Sequence, residues 1–184
     1  VEAAKQGIES GVALRVLMNG AWGFASVGSL DSKVLTEAIS DACTMAKAAS
    51  YRLKNPIKLA KTKTVEDHVQ INPKKNPAEI SIEEKIKMAT EATQVTLKRD
   101  KRIKSCTVDY MDLTGTSFFA NSENTFIEND KLYVWSKLTA SALQNGGFTF
   151  SREELGSTAG YEIFDTETPE VIGEKLAKRA VNQL

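Results

Sequence analysis

The feature that most constrains this chain is an alternating segment folded back on itself near its start. Val12, Leu14 and Val16 fall on one parity and Ala13, Arg15 and Leu17 on the other. Asn19-Gly20 then offers the left-handed dihedrals of a two-residue turn, and residues 21–26, Ala-Trp-Gly-Phe-Ala-Ser, resume a strand. Such a hairpin commits the chain to antiparallel sheet from the outset. Residues 1–8 are expected to form a preceding strand or its remnant, with Gly7 to Gly11 as the connection.

The period then changes. Over residues 31–53, Val34, Leu35, Ala38, Ile39, Ala42, Met45, Ala46 and Ala49 form one stripe, which predicts a helix capped by Ser29 or Asp31. Its many alanines imply close packing on a sheet. Residues 55–77 hold three of the four prolines and read as a long connection with one short strand around residues 68–71. A second helix is predicted over 82–99, opened by the capping box Ser81-Ile82-Glu83-Glu84. Beyond Asp100 the pattern predicts strands at 102–112, 115–121, 125–128, 131–142 and 147–151, an antiparallel meander punctuated by Gly115, Ser122-Glu123-Asn124, Asn129-Asp130 and Asn145-Gly146-Gly147. A last helix, 169–184, opens on Thr168-Pro169. Strands that pair with sequence neighbours, with helices covering one face, define an α+β fold.

Charge and composition remove several functions. The 24 Lys and Arg balance 24 Asp and Glu, so no global field draws the chain to nucleic acid or anionic membrane. No apolar run approaches the roughly 20 residues that span a bilayer. One histidine, His68, excludes a two-histidine metal site within these 184 residues, and Cys43 and Cys106 have no metal-ligand spacing. The chain begins at Val1 without a methionine, so its ends are not taken as natural.

Each remaining constellation carries a plain structural alternative. His68, beside Glu66 and Asp67, needs two further ligands from elsewhere to hold a metal, and otherwise is a surface residue. Asp109 and Asp112 are three apart on a strand, point to opposite faces and do not converge for acid and base work. The basic runs Arg52, Lys54, Lys58, Lys61, Lys63 and Lys98, Arg99, Lys101, Arg102, Lys104 lack interleaved aromatics apart from Tyr51 and read as solvated faces. The early glycines fit hairpins, not GxGxxG or a P-loop. Trp22 and Trp135 are expected to anchor a core or an interface.

Residues 10–26, SGVALRVLMNGAWGFAS, followed by a helix ending Ala46-Lys47-Ala48-Ala49-Ser50, resemble the amino-terminal domain of the TldD/PmbA family. The helix opening at residues 81–85, the turn at residues 120–124 and the stretch Gln144-Asn145-Gly146-Gly147 agree with that resemblance. It implies that residues 1–184 are a TldD/PmbA-type amino-terminal domain whose metal-bearing carboxy-terminal domain is absent from this chain. Family enzymes are similar to zinc metallopeptidases, with the metal held by an HExxxH helix and a Cys beyond the segment matching residues 169–184. The resemblance therefore implies no catalytic and no metal residue here, with zinc expected in the missing domain. It further implies a cytoplasmic homodimer, or a heterodimer with a family paralogue, acting on unfolded polypeptide; charge balance and the absence of an apolar span argue against nucleic acid and membrane as partners. Arg15 and Trp22 are the candidate peptide or interface contacts; the structural alternative is that one covers a sheet face and the other fills its core. A non-catalytic binding or regulatory subunit of gyrase-modulator type is the alternative function.

Overall fold

The structure, a computed structural model, describes residues 2–184. It divides into two compact units, residues 1–63 and 64–184.

The first unit contains the expected hairpin. β1 (Val12–Met18) pairs antiparallel with β2 (Ala21–Val27), from Val12 opposite Val27 to Met18 opposite Ala21. Asn19 and Gly20 take φ of 51° and 78°, the two positive dihedrals such a turn demands. α1 (Ser32–Ser50) is capped by the Asp31 carboxylate, which accepts from the amides of Lys33 and Val34 at 2.8 and 3.4 Å. Its buried residues Ala38, Ala42 and Ala46 recur every four positions and form a flat seam. Opposite that seam lies Gly23, where a Cβ would fall 1.8 Å from the Ala42 carbonyl oxygen. Helix and hairpin therefore touch backbone to backbone, which the alanine-rich stripe foreshadows.

Residues 2–11 form no strand. This corrects the expectation of a strand over residues 1–8, as far as the described residues reach. The segment holds a single large apolar side chain, Ile8, which is fully exposed, so it has no apolar face to dock.

The second unit is a meander of three long strands rather than five short ones. β4 (Ile103–Ala120), β5 (Phe126–Gln144) and β6 (Gly147–Ser157) follow one another antiparallel. Gly115 and Asn129-Asp130 look like punctuation, yet Gly115 pairs Lys131 and Thr116 pairs Asp130 without leaving the ladder. The real turns use left-handed residues, Asn124 and Asn145-Gly146. One strand departs from the meander: β3 (Glu66–Val69) pairs parallel with residues 126–129 of β5.

One face of this sheet is covered. α2 (Ile82–Arg99), capped by Ser81, and α4 (Pro169–Asn182), capped by Thr168, pack on the side bearing Leu132, Val134, Leu138, Ala140 and Ala142 of β5. The helices meet through small residues. A Cβ on Gly173 would lie 3.0 Å from the Ala92 carbonyl oxygen, and the buried Thr96 hydroxyl turns back to donate to that carbonyl at 2.7 Å. A short helix α3 (Ile163–Thr166) that periodicity does not reveal seats Phe164 against Tyr161 and Tyr110, with ring centroids 4.9 and 6.1 Å away.

Candidate functional site

On the hairpin, the face turned away from α1 carries Arg15, Trp22 and Phe24. Arg15 lies opposite Phe24, and Leu17 opposite Trp22, so Trp22 is a diagonal neighbour of Arg15. The Arg15 guanidinium sits 4.6 Å from the Trp22 ring centroid and 5.8 Å from that of Phe24. The two rings are 6.3 Å apart. Arg15 and Trp22, proposed from sequence, are thus brought together, and Phe24, half exposed and tilted 33° from the Trp22 ring, completes the patch. Its signal in the sequence was parity: Phe24 shares the face of Trp22 on one strand. A guanidinium held over two aromatic rings can contact an extended backbone or an aromatic side chain, and the group offers no proton-transfer residue.

In the second unit, the sheet face turned away from α2 and α4 carries Met111, Leu113, Tyr133 and Trp135, with Met111 opposite Trp135. Gly156 lies across from Trp135 on β6, and its missing side chain leaves the indole edge uncovered. A shallow depression of about 590 Å³ results, lined by Met111, Tyr133, Trp135, Gly156, Ser157 and Thr158. Lys137 lies 5.6 Å from the Trp135 ring and pairs with Asp109 at 2.8 Å. Trp135 therefore serves an open face rather than the core. Beside that face runs β4, which pairs with β5 alone among the described residues. Its outer edge offers unpaired amides and carbonyls along an 18-residue strand.

The other residues singled out from sequence fall as follows. Asp109 faces the open side, whereas Asp112 faces the helices and pairs with Lys85 at 2.6 Å. They do not converge. Asp100 clasps Arg102 through both carboxylate oxygens at 2.9 and 2.7 Å, and those hydrogen bonds hold its carboxyl well below the usual carboxylate range. The second basic run is thus partly neutralised. Lys58, Lys61 and Lys63 are exposed on the connector. Cys43 and Cys106 are free thiols, and burial pushes the Cys106 thiol up, away from reactivity. His68 meets Glu128 and Asp130, the one grouping of three or more His, Cys, Asp or Glu ligand atoms among the described residues. These donors sit on strands and do not form an HExxxH helix with a Cys, so the hydrolytic zinc centre that the resemblance implies does not fit this chain.

Comparison with known proteins accords with this architecture. The chain is 28% identical to a metalloprotease of Methanothermobacter thermautotrophicus, matching over its whole length and over 39% of that protein. It is 29% identical to a metalloprotease of Synechocystis, again over the whole chain and over 38% of the relative. It therefore spans less than two-fifths of these relatives. Among solved structures, a Bacteroides thetaiotaomicron protein described as a modulator of DNA gyrase superposes with a TM-score of 0.73 at 18% identity, over 95% of this chain and 39% of that one. TldE from Thermococcus kodakarensis superposes at 0.56 and 17% identity, over 92% and 36%. At such identities the likeness is one of fold. Residues 1–49 match the PmbA/TldA metallopeptidase domain 1, and residues 75–184, more than half of the chain, match the PmbA/TldA metallopeptidase central domain. The chain belongs to the PmbA/TldD metallopeptidase family.

Proposed function

We propose that this chain is the amino-terminal, substrate-access and dimer-contact part of a cytoplasmic PmbA/TldD-type zinc metallopeptidase that acts on unfolded proteins or peptides. The observation that carries the reading is the free outer edge of β4, bordered by the apolar side chains of Met111 and Leu113. An extended polypeptide adds to such an edge through main-chain hydrogen bonds, which demand little of its sequence. The cation–π patch of Arg15, Trp22 and Phe24 supplies a second contact, to peptide or to the partner subunit, a second copy or a paralogue. The hydrolytic zinc, in this reading, is bound by residues outside this chain, and the chain itself binds and presents the polypeptide.

The chain expressed together with its native downstream sequence, supplied with zinc, is expected to cleave an unfolded polypeptide and to lose that cleavage with chelator. Absent or chelator-insensitive cleavage despite an intact downstream HExxxH overturns the reading. A downstream segment without that motif assigns the chain instead to a non-catalytic binding subunit. Arg15→Ala and Trp22→Ala are expected to weaken binding or dimer formation, without loss of fold, because both side chains lie on the face opposite α1.

A further inference from the structure

The parallel register of β3 sets His68 directly opposite Glu128 of β5, and Asp130 follows two residues on along the same face. His68 Nε2 lies 3.5 Å from Asp130 Oδ1 and 3.7 Å from Glu128 Oε1. The three ligand atoms all lie within 4.8 Å of one another. A charge-assisted hydrogen bond would close to about 2.7–2.9 Å. These separations instead suit donors that share an ion, since metal–donor bonds of about 2.0–2.2 Å at tetrahedral angles place neighbouring donors about 3.4 Å apart.

Charge and orientation agree with that spacing. Among the described residues, neither Glu128 nor Asp130 has a Lys or Arg partner in an ion pair, and the acidic Glu66 and Asp67 immediately precede His68 in sequence. The Ile71 amide donates to Asp130 Oδ2 at 3.2 Å, which fixes the carboxylate and leaves Oδ1 directed at the histidine. Gln70 Nε2 lies 3.3 Å from His68 Nδ1 and holds the ring from behind. Such outer contacts orient metal ligands. All three side chains are 30–40% exposed, open to an ion and its remaining water from solvent.

We propose that His68, Glu128 and Asp130 bind one divalent first-row transition ion, which clips β3 to β5. The strand has need of such a tie: all four residues of β3 are exposed, so almost no apolar burial secures it. On binding, His68 Nε2 offers its lone pair and the single ring proton resides on Nδ1, which donates a hydrogen bond to Oε1 of a rotated Gln70 amide. No charge is created on the ring, and two carboxylates gain a counter-ion.

The test titrates the 184-residue chain with Co²⁺, read by visible absorption, and with Zn²⁺, read by calorimetry. One ion per chain is expected. His68→Ala, Asp130→Asn and the conservative Glu128→Gln should each weaken binding more than tenfold, with the far-UV spectrum unchanged. Zn²⁺ should also slow amide exchange across residues 66–69 in the parent chain and not in His68→Ala. The absence of stoichiometric binding of either ion overturns the site. So does binding that all three variants retain.

Discussion

Gly23 holds no side chain because none fits. The Cβ that alanine would add lies 1.8 Å from one backbone oxygen and 2.9 Å from the Ala46 nitrogen, and backbone atoms cannot rotate aside as a flexible side chain does. Gly23→Ala is therefore expected to push α1 off the hairpin and destabilise the unit by about 3 kcal/mol or more, the range of severe overpacking. Gly115→Ala is the control, because a Cβ there meets nothing within 4 Å. Equal denaturation midpoints for the two variants would refute the close contact. Read from sequence alone, Gly23 is merely one glycine in a strand; what marks it is its register opposite an alanine seam that only the folded chain brings near.

At the scale of elements, sequence periodicity located nearly everything that is locally encoded. The hairpin turn, α2 from residue 82 to 99 and the Thr168-Pro169 opening of α4 are all written in residues that touch one another along the chain. What depends on distant partners is less legible: the short strand expected around residues 68–71 lies at Glu66–Val69, and α3 is not expected at all. β3 is four exposed residues whose strand geometry exists only against β5, and α3 is a single turn defined by Tyr161 and Phe164 meeting Tyr110 from β4. The candidate site divides in the same way: Arg15 and Trp22 are adjacent by local register, whereas His68, Glu128 and Asp130 converge across some sixty positions.

That aromatic junction sets a pH dependence. Burial, with the nearby Glu84 and Asp112 carboxylates, pushes the Tyr161 phenol up to about 12, and burial beside Asp112 drives Tyr110 still higher. In the unfolded chain both ionise near the ordinary value of about 10. Between these limits the folded state holds the protons that the unfolded state releases, so stability falls as pH rises. It is complete below about pH 10 and declines from there through about 12, each phenol contributing at most about 1.4 kcal/mol per pH unit. Urea midpoints measured from pH 8 to 11.5 should show a shallower alkaline decline in Tyr161→Phe than in the parent. An identical slope would remove the tyrosine from the account and leave lysine titration to explain it.

For the whole molecule, the division into two units rests on where apolar surface is buried. The unit of residues 64–184 closes its own core: Leu138, Ile172 and Leu176 are almost wholly buried among partners drawn from β4, β5, α2 and α4. The unit of residues 1–63 buries chiefly alanine, at Ala21, Ala38, Ala42 and Ala46, so its hydrophobic stabilisation per residue is small and its chain is near the lower size limit for independent folding. Between the two cores, residues 57–65 are exposed throughout and contain Lys58, Lys61 and Lys63 without regular structure before Glu66. Brief trypsin treatment is therefore expected to cut first at these lysines, ahead of the sites held within α2, β4 and β5. The fragment beginning near residue 64 should survive longer digestion and unfold cooperatively on heating, because every element of its core remains in one piece. The released amino-terminal fragment should lose its near-ultraviolet Trp22 signal and be consumed. Early cleavage within residues 82–157, or a carboxy-terminal fragment that melts without cooperativity, would place the energetic boundary elsewhere and make the two units a single folding whole.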